Sequence, residues 1–211
     1  MTIIKRQTIY GTLFSYGGVI IGVFTQAFLY ARYLEIEVVG LFAMLFNWSM
    51  ILGFIMNLGY NSAGVKYFHE FRDFEKKHKG YLFNGLSYLL LGSVFVALIL
   101  YFFKDSIVNS SAKDSHLFSE YYYLIFPLSF ALALFYIFDN YAKGLYDTIA
   151  GTFLQQFLQK FLVLIVAILF TIGLFDLNQF MNFWVLALSI PAILMFWYSR
   201  RLEGFSLQYS P

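Results

Sequence analysis

The sequence predicts an all-α integral membrane protein, a bundle of six transmembrane helices. Of its 211 residues, 60% are hydrophobic and only 12% are charged, which is too apolar for a soluble domain. The charges are concentrated between apolar runs of about twenty residues, enough to cross ~30 Å of hydrocarbon at ~1.5 Å per residue. These uncharged runs, with only three prolines in the chain, favour helices over barrel strands of about ten residues with alternating polarity.

Six spans are predicted within one domain that covers residues 1–211: 8–31, 38–65, 81–103, 120–142, 148–174 and 179–199. The first span follows Lys5 and Arg6, as in a signal peptide, but its apolar run is longer than a signal peptide needs and no cleavage site follows. We therefore expect a retained helix. After the second span, Tyr67, Phe71 and Phe74 share one side, which predicts a short helix in the headgroup layer.

The distribution of lysine and arginine predicts the orientation. Three of these residues lie on one face of the predicted bundle, namely Arg32, Lys104 and Lys113, and Lys160 lies inside a span. Ten lie on the other face: Lys5, Arg6, Lys66, Arg72, Lys76, Lys77, Lys79, Lys143, Arg200 and Arg201. By the positive-inside rule, both termini of this multi-pass protein are cytoplasmic.

The sequence offers little for an enzyme. Without cysteine there is no thiolate catalysis, disulfide or cysteine-ligated metal, and the histidines lack a third ligand at metal-site spacing. No Gly-x-Ser-x-Gly motif or intramembrane carboxylate pair is present. We expect no catalytic residue, cofactor or metal, and a net charge of +2 gives no reason to expect nucleic acid as a partner.

The fifth span carries a polar stripe at membrane depth. At ~100° per residue, five side chains fall within about 140° of one another: Thr152, Gln155, Gln156, Gln159 and Lys160. Lys160 lies near the midplane, where a lysine costs about 2.5–3.5 kcal/mol on insertion scales. The stripe is therefore predicted to face a polar interior rather than lipid.

Two further spans have polar faces. In the first span the face consists of Thr8, Thr12, Ser15, Gly22 and Gln26, extended by Tyr30, and Gly18 with Gly22 forms a GxxxG pair that allows a close helix neighbour. In the second span it consists of Asn47, Met50, Phe54, Asn57, Asn61 and Gly64. These residues either join helices through hydrogen bonds or line a cavity that binds hydroxyl groups. Gln26, Asn57 and Asn61 are the cavity candidates.

Three charged residues have two interpretations each. Asp139 is expected to pair with Lys143 at i,i+4, the alternative being a proton-coupling carboxylate. Arg32 and Lys66 lie near opposite interfaces and are expected to be structural anchors rather than relay cations.

The stretch 31–68 resembles the N-terminal part of the polysaccharide biosynthesis flippases, in the multidrug, oligosaccharidyl-lipid and polysaccharide exporter superfamily. The family pattern is an Arg-Tyr-Leu at the end of the first helix, a short acidic turn, a Gly-Leu-Phe opening the second, and a Leu-Gly and a basic residue with aromatics at its inner end. The matching positions are Arg32, Tyr33, Leu34, Glu35, Glu37, Gly40, Leu41, Phe42, Leu58, Gly59, Lys66, Tyr67 and Phe68.

The resemblance implies that a lipid-linked oligosaccharide of the undecaprenyl-pyrophosphate type is moved across a bacterial inner membrane by alternating access. Family members form an inverted V of two six-helix lobes, and this chain accounts for one. We therefore expect a missing C-terminal lobe or a second copy as partner, besides the substrate and the bilayer. Lys160 would meet the pyrophosphate, and the sugars or bridging water would meet the amides of Gln26, Asn57, Asn61, Gln155, Gln156 and Gln159. The alternatives are a lobe of a cation-coupled multidrug exporter of the same superfamily and a non-transporting scaffold subunit.

Overall fold

The computed structural model describes residues 3–73, 77–111 and 116–208, and all regular structure within these ranges is helical. Six of the described helices are long and apolar enough to cross a membrane. The predicted fold class is thus confirmed. Phe74, Lys76 and Lys113, which the sequence-based predictions use, lie outside the described residues.

Eight helical units follow one another in the described chain. Helix α1 comprises Ile3–Phe24, a π-helical segment Thr25–Tyr30 and Ala31–Tyr33; α2 is Ile36–Met56 and α3 is Tyr60–Phe71. A 3₁₀ turn at Lys77–Gly80 leads into α4, Tyr81–Phe102, and α5 is Lys104–Ser111. Helix α6 joins His116–Tyr121, a 3₁₀ turn Tyr122–Leu124 and Ile125–Gly144. Helix α7 joins Ile149–Thr152, a π-helical segment Phe153–Leu158 and Gln159–Thr171, and α8 is Leu177–Ser199.

The second span ends earlier than predicted. Helix α2 stops at Met56, because Leu58 and Gly59 adopt positive φ angles of 47° and 78°. Glycine adopts this left-handed conformation without a steric penalty and commonly ends helices. The predicted end of the second span at residue 65 was therefore wrong. The polar stripe on which it was based continues beyond Gly59, but in a separate helix.

That separate helix, α3, contains Tyr67 and Phe71 of the predicted short helix, but it begins at Tyr60, inside the predicted second span. Its buried aromatic residue is Phe68, which is only 4% exposed and packs edge-on against Tyr81 and Tyr141. Tyr67, expected on the apolar side, is exposed. Helix α3 thus packs against α4 and α6 through Phe68.

Helix α6 is the centre of the bundle. It packs against α2, α4 and α8, and glycines allow close contact between neighbouring backbones. A Cβ atom on Gly53 of α2 would lie 3.1 Å from the Ser129 carbonyl oxygen of α6, and one on Gly92 of α4 would overlap the Met56 carbonyl. Such small residues let helices associate by close packing in lipid.

Helices α1 and α7 lie beside this core. Helix α7 packs on α8, and α1 makes its main contacts with α7, so most of the α1 surface is exposed. The closest approach is at Gly18, where an added Cβ would overlap the backbone carbonyl of Gln156. The GxxxG pair therefore lies at a tight helix contact. Toward the other end of α1, a space remains between α1, α2, α7 and α8.

Candidate binding cavity between α1, α2, α7 and α8

This space is a cavity of about 500 Å³ with a polar wall and an aromatic wall. Its polar lining residues are Thr25, Gln26, Asn47, Gln159 and Lys160, and its aromatic ones are Tyr30, Phe42, Phe46 and Trp184. The remaining lining residues are Gly22, Val39, Ala43, Val163 and Leu188. The structure thus brings together three of the residues predicted to bind substrate: Gln26, Gln159 and Lys160.

Helix α7 contributes the charged part of the cavity. Its π-helical segment, Phe153–Leu158, ends directly before Gln159 and Lys160. Gln159 is 8% exposed and donates from Nε2 to the carbonyl oxygen of Leu188 on α8, at 3.1 Å. This hydrogen bond fixes α7 against α8, and so orients the neighbouring Lys160.

Lys160 is half-buried, and its aliphatic chain lies over the two glycines of α1. Its Cδ atom would be 3.4 Å from a Cβ on Gly18 and 3.6 Å from one on Gly22. Among the residues that the structure describes, none forms a hydrogen bond or ion pair with its ammonium group. The cavity therefore contains a cation with its hydrogen-bonding capacity unused.

Helix α1 lines the cavity with its own π-helical segment, Thr25–Tyr30. Thr25 bonds back to the Ile21 carbonyl at 2.8 Å, whereas the side chain of Gln26 is exposed. Single π-helical turns are rare and occur frequently at functional sites. Here both π-helical segments adjoin one cavity.

The aromatic wall was not predicted as part of the site. Phe42 of α2 stacks on Trp184 of α8 with ring centroids 4.8 Å apart, and it contacts Tyr30 at 5.2 Å. Asn47, assigned to a polar face but not to the site, is exposed on α2 and also lines the cavity. Its place in the polar stripe of the second span was a usable signal, whereas nothing in the sequence distinguished Trp184 from an interfacial tryptophan.

Two predicted cavity residues on the second polar face lie elsewhere. Asn57 is 1% exposed and donates from Nδ2 to the carbonyl oxygens of Gly53 and Ala133, at 3.3 Å each. It joins α2 to α6 and does not line the cavity. Asn61 is the second residue of α3, beyond the positive-φ turn, and is likewise not part of the cavity lining.

The other two glutamines of the α7 stripe lie against different helices. Gln155 donates to the hydroxyl of Tyr136 on α6 at 3.0 Å, and the backbone carbonyl of Gln156 packs against Gly18. Neither residue lines the cavity. The stripe therefore divides between α6, α8 and α1, because the π-helical segment changes the angular positions that a regular helix would give.

The other charged candidates lie apart from the cavity. Asp139 is 2% exposed and accepts a hydrogen bond from Lys143 Nζ at 2.5 Å, so the i,i+4 pair predicted from spacing is present. Its carboxylate also packs against Gly151 at the start of α7. Arg32 and Lys66 are exposed beside the rings of Tyr33 and Tyr67, at 5.9 and 5.2 Å from the ring centroids.

The cavity suits an anion attached to a larger polar molecule. An ammonium group forms strong charge-assisted hydrogen bonds with phosphate or carboxylate oxygens, and the amides of Gln26 and Asn47 offer both donors and acceptors. The aromatic wall provides apolar faces opposite them. Within the described chain, no group of three histidine, aspartate or glutamate side chains is placed to hold a metal ion.

The fold and the cavity together define the class of protein. It is a multi-pass helical membrane protein with a cationic, amide-lined cavity between its spanning helices, as expected of a membrane transporter. The chain belongs to the family described as polysaccharide biosynthesis protein, whose model matches residues 4–208. This match confirms the resemblance noted for residues 31–68 and extends it over nearly the whole chain. Comparison with curated proteins gave no match, and neither did comparison with solved structures.

Proposed function

We propose that the chain forms one lobe of a flippase that moves an undecaprenyl-pyrophosphate-linked oligosaccharide from the inner to the outer leaflet of a bacterial inner membrane. The observation that carries this proposal is the position of Lys160. Its ammonium group lies in a cavity at membrane depth, without an ionic partner among the described residues. Because a cation inside a membrane is costly, one left unpaired indicates a site for an anionic substrate.

Within the proposal, the pyrophosphate binds Lys160 and the adjoining sugar contacts Gln26 and Asn47. The phosphate oxygens accept charge-assisted hydrogen bonds from the ammonium group, and the sugar hydroxyls pair with the amides. A volume of about 500 Å³ falls within the range of small-ligand sites, roughly 300–1,000 Å³. The cavity is therefore suited to the charged end of the substrate, and the rest of the glycan extends beyond it.

The depth of the site fits alternating access. Lys160 is eleven residues beyond Ile149, the first residue of α7, which at ~1.5 Å per residue puts it about 16 Å along the helix. Transporters commonly bind substrate near the bilayer midplane and expose the site by rocking one lobe against another. The second lobe, either a C-terminal half or another copy of the chain, would close the cavity on its open side.

The test is substitution of Lys160 in a full-length context that supports export. We expect Lys160→Met to lower surface-polysaccharide export by about tenfold or more, because a hydrogen bond to a charged group contributes about 1.5–3 kcal/mol. Methionine keeps the apolar chain over Gly18 and Gly22, so membrane insertion is preserved. Lys160→Arg retains the charge and should retain part of the activity.

Lys104→Met is the matched control, since Lys104 is an exposed lysine on α5. Export at the control level by the Lys160→Met protein would contradict the cavity role. The two alternatives predict other results. A multidrug exporter lobe would lose resistance to cationic drugs instead of polysaccharide export, and a scaffold would tolerate Lys160→Met as long as it is inserted.

A further inference from the structure

A second recess lies between α3 and α4, apart from the cavity that contains Lys160. It has a volume of about 520 Å³, and four of its lining residues are tyrosines: Tyr60, Tyr67, Tyr81 and Tyr88. Its other lining residues include Leu58 at one end and Glu70 and Phe71 at the other. We call this recess the α3–α4 groove.

The two ends of the groove are formed by opposite ends of α3. Tyr60, the first residue of α3, stacks on Tyr88 in the second turn of α4, with ring centroids 5.6 Å apart. Phe71, the last residue of α3, contacts Tyr81 at the start of α4, at 5.8 Å. The end near Leu58 and Tyr88 therefore lies deeper in the bundle, and the end near Glu70 lies at the membrane face where α1 begins and α8 ends.

The shallow end of the groove carries charges of both signs. The Glu70 side chain is 62% exposed, and its carboxylate lies 3.9 Å from His69 Nε2. Lys79 Nζ donates to the backbone carbonyl of Glu70 at 2.8 Å. Lys66 Nζ lies 5.2 Å from the centre of the Tyr67 ring. Glu70 lines the groove, and two ammonium groups lie close by: that of Lys79 at the Glu70 carbonyl and that of Lys66 beside the Tyr67 ring.

We propose that the α3–α4 groove binds a zwitterionic phospholipid whose headgroup ends in a primary ammonium, of the phosphatidylethanolamine type. The lipid ammonium donates charge-assisted hydrogen bonds to the Glu70 carboxylate at the shallow end of the groove. The lipid phosphate pairs with Lys66 and Lys79, and the first part of an acyl chain lies along the apolar end near Leu58.

The charge pattern selects among the common lipid headgroups. A trimethylammonium headgroup offers Glu70 no N–H donor, so it loses the hydrogen bonds to the carboxylate. An anionic glycerol headgroup satisfies the lysines but leaves Glu70 without a cation. Of these three headgroups, only the ethanolamine type offers both a phosphate for the lysines and N–H donors for Glu70.

Native mass spectrometry of the purified chain in detergent tests the proposal. The protein is mixed with equal amounts of phosphatidylethanolamine, phosphatidylcholine and phosphatidylglycerol that carry the same acyl chains. We expect the ethanolamine lipid to be retained about threefold to tenfold over the other two, the range that one charge-assisted hydrogen bond at a partly exposed site provides. Glu70→Gln should remove this preference, and Tyr88→Ala should lower the retention of all three lipids.

Glu37→Gln is the matched control, because Glu37 is an exposed glutamate near the start of α2 at the opposite membrane face. It should keep the preference. Gel filtration of each variant verifies its fold, which an exposed Glu70 substitution leaves intact. Equal retention of the three lipids, a preference for phosphatidylglycerol, or a preference unchanged in Glu70→Gln would each overturn the proposal. None of these results bears on Lys160, so the lipid site and the proposed transport function are tested separately.

Discussion

Substitution of Gly18 by alanine should separate α1 from α7. An added Cβ at this position would overlap the Gln156 carbonyl oxygen and lie 2.7 Å from the carbonyl carbon. Carbon atoms pack best at about 3.5–4.0 Å, so the two backbones must move apart by roughly 1 Å. Because the obstruction is backbone rather than a flexible side chain, no rotamer change relieves it.

The expected cost follows from overpacking. Inserting a methyl group into a tight contact typically destabilises a protein by about 1–3 kcal/mol. For a chain of this length, each kcal/mol changes the melting temperature by about 2–4 °C, so we expect Gly18→Ala to melt roughly 2–12 °C lower. The measurement is thermal unfolding of the purified protein in detergent, followed by loss of the monodisperse peak in gel filtration.

Gly11→Ala provides the control for this prediction. Gly11 lies on the same helix, and an added Cβ there has nothing within 4 Å. Both substitutions change helix propensity equally, by up to about 1 kcal/mol in favour of alanine. If the Gly18→Ala protein melts within about 1 °C of the Gly11→Ala protein, the reasoning on the α1–α7 contact is refuted.

Two further predictions concern polar groups inside the bundle. Lys143→Met leaves the buried Asp139 carboxylate without its cation and should cost about 1–3 kcal/mol, less than a fully buried pair because the Lys143 side chain is 45% exposed. Asp139→Asn should cost less, and equal stability of the two variants in a detergent-unfolding titration would argue against the pair. Asn57→Ala removes the hydrogen bond to Ala133 that joins α2 to α6, together with a bond to Gly53 within α2, and should lower stability by about 1 kcal/mol in the same titration. Asn47→Ala, at an exposed position, is its control and should leave stability unchanged; a larger loss there than at Asn57 would reverse our assignment of the two asparagines.

Hydropathy was sufficient to predict the fold class, because a span needs only an apolar length. All six spans have a described counterpart that is long and apolar enough to cross a membrane. The boundary that failed lies at Leu58 and Gly59, where two positive φ angles interrupt a stretch whose polar stripe continues without a break. Glycine permits this conformation but does not require it, so the sequence alone did not indicate the break.

Only part of the candidate site was predictable. Lys160 and Gln26 were identified because a long polar side chain at membrane depth needs a polar surrounding. The assignment of Gln155 to the same cavity relied on a constant ~100° per residue, which the π-helical segment of α7 breaks. The place of Asn57 could not be predicted either, since an amide that joins two helices and one that lines a cavity produce the same stripe.

Under the proposed function, the charge of Lys160, which has no ionic partner among the described residues, has an electrical consequence. In the proposed orientation the cytoplasm is negative, and one charge that crosses the whole membrane exchanges about 2.3 kcal/mol per 100 mV with the voltage. An empty lobe carries a positive site, which this voltage draws toward the cytoplasm, where substrate is collected. Once a pyrophosphate with more than one negative charge is bound, the site becomes net negative and the same voltage drives it outward. The resting potential would then favour both halves of the transport cycle through a single side chain.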